Sequence, residues 1–220
     1  MATTDKLPSR LHHNAYVSKD LEATRAFYEG LIGLPLVATW SEADELFGAK
    51  RVYCHTFFGL GDGSALAFFQ FAHDEDQNLF DPDLTPSPFR HIALKVTPEL
   101  QGEIHQRLTD AGWKPDGTYV LEHGYCRSLY TEDPNGLLLE FTVDVSNAAE
   151  IAVDRRADAH ETLKRWLGDE ALHELGFLDP SGQMISLIEA RTYSPPALAA
   201  APSSRLGYFE EFGVPTSDLA

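Results

Sequence analysis

The sequence predicts an α+β protein built from two copies of one βαβββ module, followed by a C-terminal extension. Three observations carry this reading. Residues 11–71 read as a strand, a helix and three further strands. Residues 89–145 start the same order again. Matched residues also recur at steady offsets across the two passes. His13 falls on His91 at 78, Gly33 on Gly112 at 79, and Gln70 in "FFQF" on Glu140 in "LLEF" at 70. The second copy is shorter in its middle, but the matches keep their order.

The first strand is "RLHHNAYV", with imperfect alternation over 11–17. Neighbouring side chains on a strand point to opposite faces, so His12 and His13 are expected to do different jobs. His12 aligns with Arg90, which makes it a surface or packing residue that tolerates replacement by alanine. In "SKDLEATRAFYEGLIGLP", Ser18 or Asp20 caps a helix. Leu21, Thr24, Phe27, Tyr28 and Leu31 recur at helical spacing, and Gly33 and Pro35 stop it. Strands follow at 36–40, 52–58 and 65–71, with "GDG" at 61–63 as a hairpin turn. The acidic, proline-rich stretch 73–88 reads as a solvated linker. "FRHIALKV" is then a strand, and "TPELQGEIHQRLTDAGWKP" a helix with Pro98 at its start and Gly112 at its end. "RSLYTEDPNGLLLEFTV" is a hairpin turning at Pro134–Gly136. The boundaries are thus 1–145 for the paired-module domain, with module one at about 11–72 and module two at about 89–145. Residues 146–220 form a mainly helical extension. It carries a possible strand in "GQMISLIEARTY" and an extended "SPPALAAAPSS", and reads as a cover or oligomer contact.

The 220 residues are 43% apolar and 23% charged, the composition of an ordinary globular chain. A formal net charge of −17 argues against nucleic-acid and anionic-membrane binding, because phosphates require clustered Lys and Arg. Two cysteines, Cys54 and Cys126, do not make a disulfide framework and point to the cytoplasm. The first ten residues lack the apolar core of a signal peptide. No run approaches the roughly 20 apolar residues that span a bilayer.

Four repeat-equivalent positions carry the chemistry: His13, Gln70, His91 and Glu140. Each module supplies one from its first strand and one from its last. A lone strand histidine is usually just hydrogen-bonded, but two in register across a repeat suggest a common ligand. Glu140 lies in "LLLEFTV", where an unpaired carboxylate is costly, so it needs a metal or an Arg as partner. Two imidazoles and a carboxylate suit Fe(II) with open positions for substrate and oxygen. The same donors also hold Mn, Zn or Ni. Gln70 reads either as a neutral fourth ligand or as a hydrogen-bonding neighbour of a metal-bound water.

These residues resemble the vicinal oxygen chelate superfamily of glyoxalases, bleomycin- and fosfomycin-resistance proteins and type I extradiol dioxygenases. The matching stretches are "LHHNAYVSKDLEATRAFYEGLIGLP", "GDGSALAFFQF", "RHIALKV" and "SLYTEDPNGLLLEF". The resemblance implies paired βαβββ modules forming a half-open mixed β-sheet cleft around a divalent metal, held at His13, His91 and Glu140. Glyoxalase-like members usually place an acid where this chain has Gln70. The neutral residue therefore points toward the ring-cleaving dioxygenases. Tyr130 precedes Glu140 by ten residues, as a tyrosine near the metal does in extradiol enzymes. His123 is the expected acid/base for catechol protons, and His55, Phe57, Phe69 and Tyr125 the expected aromatic lining. The function implied is an Fe(II)-dependent extradiol-type dioxygenase acting on a catechol-like aromatic and O₂, in a homo-oligomer. The alternatives are a glyoxalase-like isomerase or lyase, in which Gln70 ligates, and a small-molecule-sequestering protein without chemistry.

Overall fold

The computed structural model describes residues 7–81, 87–167, 176–178 and 184–186. Two four-stranded mixed sheets dominate. The first is built from β1 (His13–Val17), β2 (Leu36–Leu46), β3 (Ala49–Gly59) and β4 (Ala65–Phe71), in the order β1-β4-β3-β2. β1 runs parallel to β4, with His13 opposite Ala65, while β2–β3 and β3–β4 are antiparallel. The second sheet repeats this plan. It consists of β5 (His91–Lys95), β6 (Tyr119–Glu122), β7 (Cys126–Glu132) and β8 (Leu138–Asp144), in the order β5-β8-β7-β6. The βαβββ repeat expected from the sequence is therefore present twice. A short antiparallel pair, β9 (Gly176–Leu178) and β10 (Met184–Ser186), follows later in the chain. β10 falls inside the expected strand "GQMISLIEARTY"; "SPPALAAAPSS" lies outside the described residues.

The helix after β1 starts as α1 (Leu21–Arg25), and Asp20 caps it by accepting from the N–H groups of Glu22 and Ala23. It continues as a π-helical stretch over Ala26–Ile32 and closes on Gly33. Gly33 has φ 89°, a left-handed conformation that glycine adopts without the steric cost a Cβ brings. Phe27, Tyr28 and Ile32 are buried beside Phe58, Leu66 and Phe68. Tyr28 stacks on Phe58 with ring centroids 5.1 Å apart.

β2, β3, β6 and the stretch after β4 differ from the sequence expectation: β3 starts at Ala49, and β6 (Tyr119–Glu122) is an added strand. β2 reaches Leu46 instead of residue 40, and pairs to the tip with β3. Phe47 and Gly48, both at positive φ, form the two-residue turn. The stretch expected to be a linker contains α2 (Asp74–Phe80). Three acidic residues in its first turn suit the positive end of a helix. The buried Asp76 pairs with Arg51, and Phe80 stacks on Phe71.

Residue contacts divide the chain into two compact units. One holds the described residues up to Ile92, with Gly102–Trp113 and Glu132–Leu139. In it, α3 (Pro98–Asp110) contributes Arg107 to the end of the first helix. The Arg107 guanidinium donates to the carbonyls of Leu31 and Ile32, at 2.7 and 2.9 Å, where the helix leaves them without internal partners. The turn between β7 and β8 belongs here too. Its Asp133 accepts from the Tyr28 hydroxyl at 3.1 Å and from the N–H groups of Asn135 and Leu137 at 2.8 Å. The other unit holds Ala93–Gln101, Lys114–Thr131 and the described residues from Glu140 on, including α4 (Ala148–Leu167). Within it, Arg155 of α4 lies over the Tyr125 ring at 4.9 Å. No helix among the described residues is long and apolar enough to cross a membrane.

Candidate metal centre

In the first unit, His13 opens β1 with its ring exposed and its edge toward Phe57, centroids 5.5 Å apart. Its Nδ1 lies 2.8 Å from Nδ1 of His12. The contact joins two neighbours that strand alternation was expected to keep on opposite faces. His91 opens β5, and its Nδ1 lies 3.0 Å from the Pro88 carbonyl oxygen. A carbonyl only accepts, so Nδ1 carries the proton and Nε2 is the ring's lone-pair nitrogen.

Gln70 sits near the end of β4, and both ends of its amide engage the backbone where the helix begins. Oε1 accepts from Leu21 N–H at 3.1 Å, and Nε2 donates to the Lys19 carbonyl at 3.3 Å.

β3 supplies a residue whose importance the sequence understated. His55 stacks on Phe69 at 3.6 Å, with Phe57 at 4.3 Å and Trp40 at 4.9 Å. Only 8% of it is exposed, and its Nε2 has no hydrogen-bond partner among the described residues. Burial, and secondarily the nearby His13, pushes its pKa below the usual imidazole value. A buried ring nitrogen without a hydrogen-bond partner is costly in a folded protein. Trp40, 40% exposed and stacked on Phe57, extends this aromatic face outward. It was not among the expected lining residues, since β2 was expected to end there.

The second unit gathers Glu140, Tyr130 and His123. Glu140 is 6% exposed and accepts at one oxygen, Oε1, from Ser128 Oγ at 2.5 Å and Thr142 Oγ1 at 3.1 Å. Tyr130 is hydrogen-bonded to Glu140, and its hydroxyl lies 3.0 Å from Nε2 of the exposed His123. Burial, together with the adjacent Glu140 charge, raises the Tyr130 pKa well above the ordinary phenol value. One assignment satisfies the row: His123 Nε2–H donates to the phenol oxygen, and the phenol proton goes to the carboxylate. Ser128 and Thr142 were not singled out from the sequence. Each lies two positions from a named residue, Tyr130 or Glu140, and side chains two apart on a strand share a face.

Donor by donor, the set suits a divalent cation. His91 has Nδ1 directed at a carbonyl, and Glu140 is a carboxylate held by Ser128, Thr142 and Tyr130. Among the described residues, however, no three His, Cys, Asp or Glu side chains are grouped to hold a metal ion. His13 and His91 belong to one unit and Glu140 to the other.

Two sheets of the same βαβββ order, one opening on His13 and carrying Gln70 on its last strand, the other opening on His91 and carrying Glu140, make this an α+β protein of repeated modules. The chain belongs to the glyoxalase/bleomycin resistance protein/dioxygenase superfamily, whose family model matches residues 10–141. That description spans several chemistries, so membership leaves the reaction open. No curated protein matches the chain significantly. Among solved structures, the fosfomycin resistance protein FosX from Listeria monocytogenes is 21% identical. Its match covers 64% of this chain and 98% of FosX, with a TM-score of 0.47. The same protein complexed with Mn(II) and sulfate matches at 20% identity, 65% and 98% coverage and a TM-score of 0.45. A possible glyoxalase from Bacillus cereus matches at 20%, with 62% and 100% coverage and a TM-score of 0.41.

Proposed function

We propose that the chain is a metal-dependent, ring-cleaving dioxygenase of the extradiol type, acting on a catechol-like aromatic and O₂. In this reading His13, His91 and Glu140 hold a divalent metal, Fe(II) in the working enzyme. The observation that carries the reading is the engagement of Gln70. Its amide is tied at both ends to residues 19–21, which supports a helix-capping role. The donor set is then two histidines and one carboxylate, the arrangement that suits non-haem Fe(II) with positions open for substrate and oxygen.

When bound, the metal supplies Lewis acidity toward a vicinal diol and a path for charge between diol and O₂. The chain's own residues do the rest. Ser128 and Thr142 hold Glu140 in one orientation. Tyr130 keeps its proton, because burial and Glu140 oppose its ionisation, and so stands as a hydrogen-bond donor. His123 holds a proton at Nε2 against Tyr130 and moves it to or from substrate. His55, kept neutral by burial, is a second base, on the aromatic face with Trp40, Phe57 and Phe69 that stacks the substrate ring.

The test is anaerobic loading with Fe(II), followed by oxygen-electrode and absorbance measurements on a set of catechols. The expected result is oxygen uptake dependent on Fe(II), with a yellow ring-fission product. Activity that persists without oxygen under Zn or Ni would overturn the reading in favour of a glyoxalase-like isomerase or lyase.

A further inference from the structure

We propose that His12 is a positioning residue. Its Nδ1 accepts the Nδ1–H of His13 and so fixes His13 in the tautomer whose Nε2 carries the lone pair. The inference rests on the reading of His13 as a metal ligand.

The first observation is the pair itself. The two Nδ1 atoms lie 2.8 Å apart, with the rings edge to face at 76° and centroids 5.1 Å apart. Two neutral imidazoles in this contact have one proton between the facing nitrogens, so one ring donates and the other accepts. Were His12 the donor, His13 would accept at Nδ1 and hold its own proton on Nε2. No lone pair would then remain for a cation. With His13 as donor, Nε2 is the acceptor nitrogen.

His91 supplies the second observation. It opens β5 as His13 opens β1, and its Nδ1 meets the Pro88 carbonyl at 3.0 Å, which fixes the Nδ1–H form outright. Both histidines thus direct Nδ1 at a group just N-terminal to them in the chain. Matching tautomers at the two equivalent positions require His12 to be the acceptor.

β1 starts at His13, and the His12 carbonyl accepts from Ala65 N–H at 3.2 Å at the edge of the sheet, so the backbone beside the pair is held while the two rings meet through Nδ1. An acceptor behind a ligating imidazole holds the ring in orientation and raises its basicity, and losing it typically costs about 10–100-fold in metal affinity.

Side-chain nitrogen-15 NMR on the metal-free full chain, at mildly alkaline pH, reads the tautomer directly. His13 is expected in the Nδ1–H form in the unaltered protein. In His12→Phe it should shift toward the Nε2–H form that free histidine prefers. Co(II) titration, followed by visible absorption, should show binding weakened by about 10–100-fold in His12→Phe. His12→Asn should restore it, because its side-chain carbonyl offers an acceptor close to the place of Nδ1. An Nε2–H form of His13 in the unaltered protein overturns the inference. So does unchanged Co(II) affinity in His12→Phe when His13→Ala loses binding. Unchanged affinity in both variants overturns the metal reading as well, and the two failures are thereby distinguished.

Discussion

Glu140 shows how far single residues can be read before a structure exists. Its place in "LLLEFTV" called for a metal or an Arg, and the partners seen among the described residues are hydroxyls, from Ser128, Thr142 and Tyr130. Ser128 is fully buried and its hydroxyl is 2.5 Å from Oε1. Removing it leaves a buried carboxylate short of one donor, so Ser128→Ala is expected to destabilise the protein by about 1–3 kcal/mol in urea unfolding. A change within experimental error would mean that the bond does not anchor the carboxylate. Tyr130 acts on turnover as well. Tyr130→Phe keeps the ring stacked on Tyr119 but removes the group between His123 and Glu140. The expected result is a kcat for oxygen uptake lowered by roughly 100-fold, the low end of acid–base contributions, beside a stability loss of the same order as for Ser128→Ala, because Glu140 again loses a donor. Unaltered turnover would remove Tyr130 from the proton path. His12 shows the limit of this kind of reading: the pleat rule assigned it to the far side, but its Nδ1 lies 2.8 Å from that of His13.

At the scale of elements, strands with clear apolar alternation were legible, and β4 has the bounds the pattern gave. The longer β2 was hidden because "SEADEL" is polar, and what holds it is pairing along β3 to the Phe47–Gly48 turn. α2 was hidden because its three leading acids look like a solvated linker, and its support comes from a strand far away in sequence. That support gives a prediction. Arg51 pairs with Asp76, both side chains 11% exposed, and its guanidinium lies 4.9 Å over Phe80. Arg51→Met strands a nearly buried carboxylate and should cost roughly 3 kcal/mol. Arg51→Met combined with Asp76→Leu should recover most of that loss in the same unfolding assay, and no recovery would refute the pair as its cause. The turn between β7 and β8 gives a pH test. Asp133 is fully buried, and burial raises its pKa despite the donors from Tyr28, Asn135 and Leu137. A carboxyl group raised in the folded state stabilises fully below its unfolded value near 3.8, and that contribution is lost as pH rises through the folded value. Asp133→Asn mimics the protonated form. It should therefore gain stability relative to the unaltered protein as pH climbs from about 4 to 7, as read from urea midpoints. A constant difference across that range would show that Asp133 does not titrate anomalously.

For the whole molecule, the repeat was legible because His13/His91 and Gln70/Glu140 kept their order. What periodicity does not record are contacts across 75 to 105 positions: Arg107 on the carbonyls of Leu31 and Ile32, and the Tyr28 hydroxyl on Asp133. The same scale bears on how a metal is detected. A ligand bound only by the folded state stabilises it by about 2.7 kcal/mol at 100 times its dissociation constant. With a net charge of −17, any cation also relieves self-repulsion, and sodium chloride does so as well. A rise in melting temperature with metal alone is therefore ambiguous. The specific contribution is the part that survives in high salt and in excess Mg(II), which carboxylate and water ligands suit better than imidazoles do. Under those conditions Fe(II), kept anaerobic, is expected to raise the melting temperature of the unaltered protein. His13→Ala, His91→Ala and Glu140→Gln should each abolish the rise, while the response to salt stays as it was. A rise that persists in all three variants would place the metal elsewhere on this acidic surface.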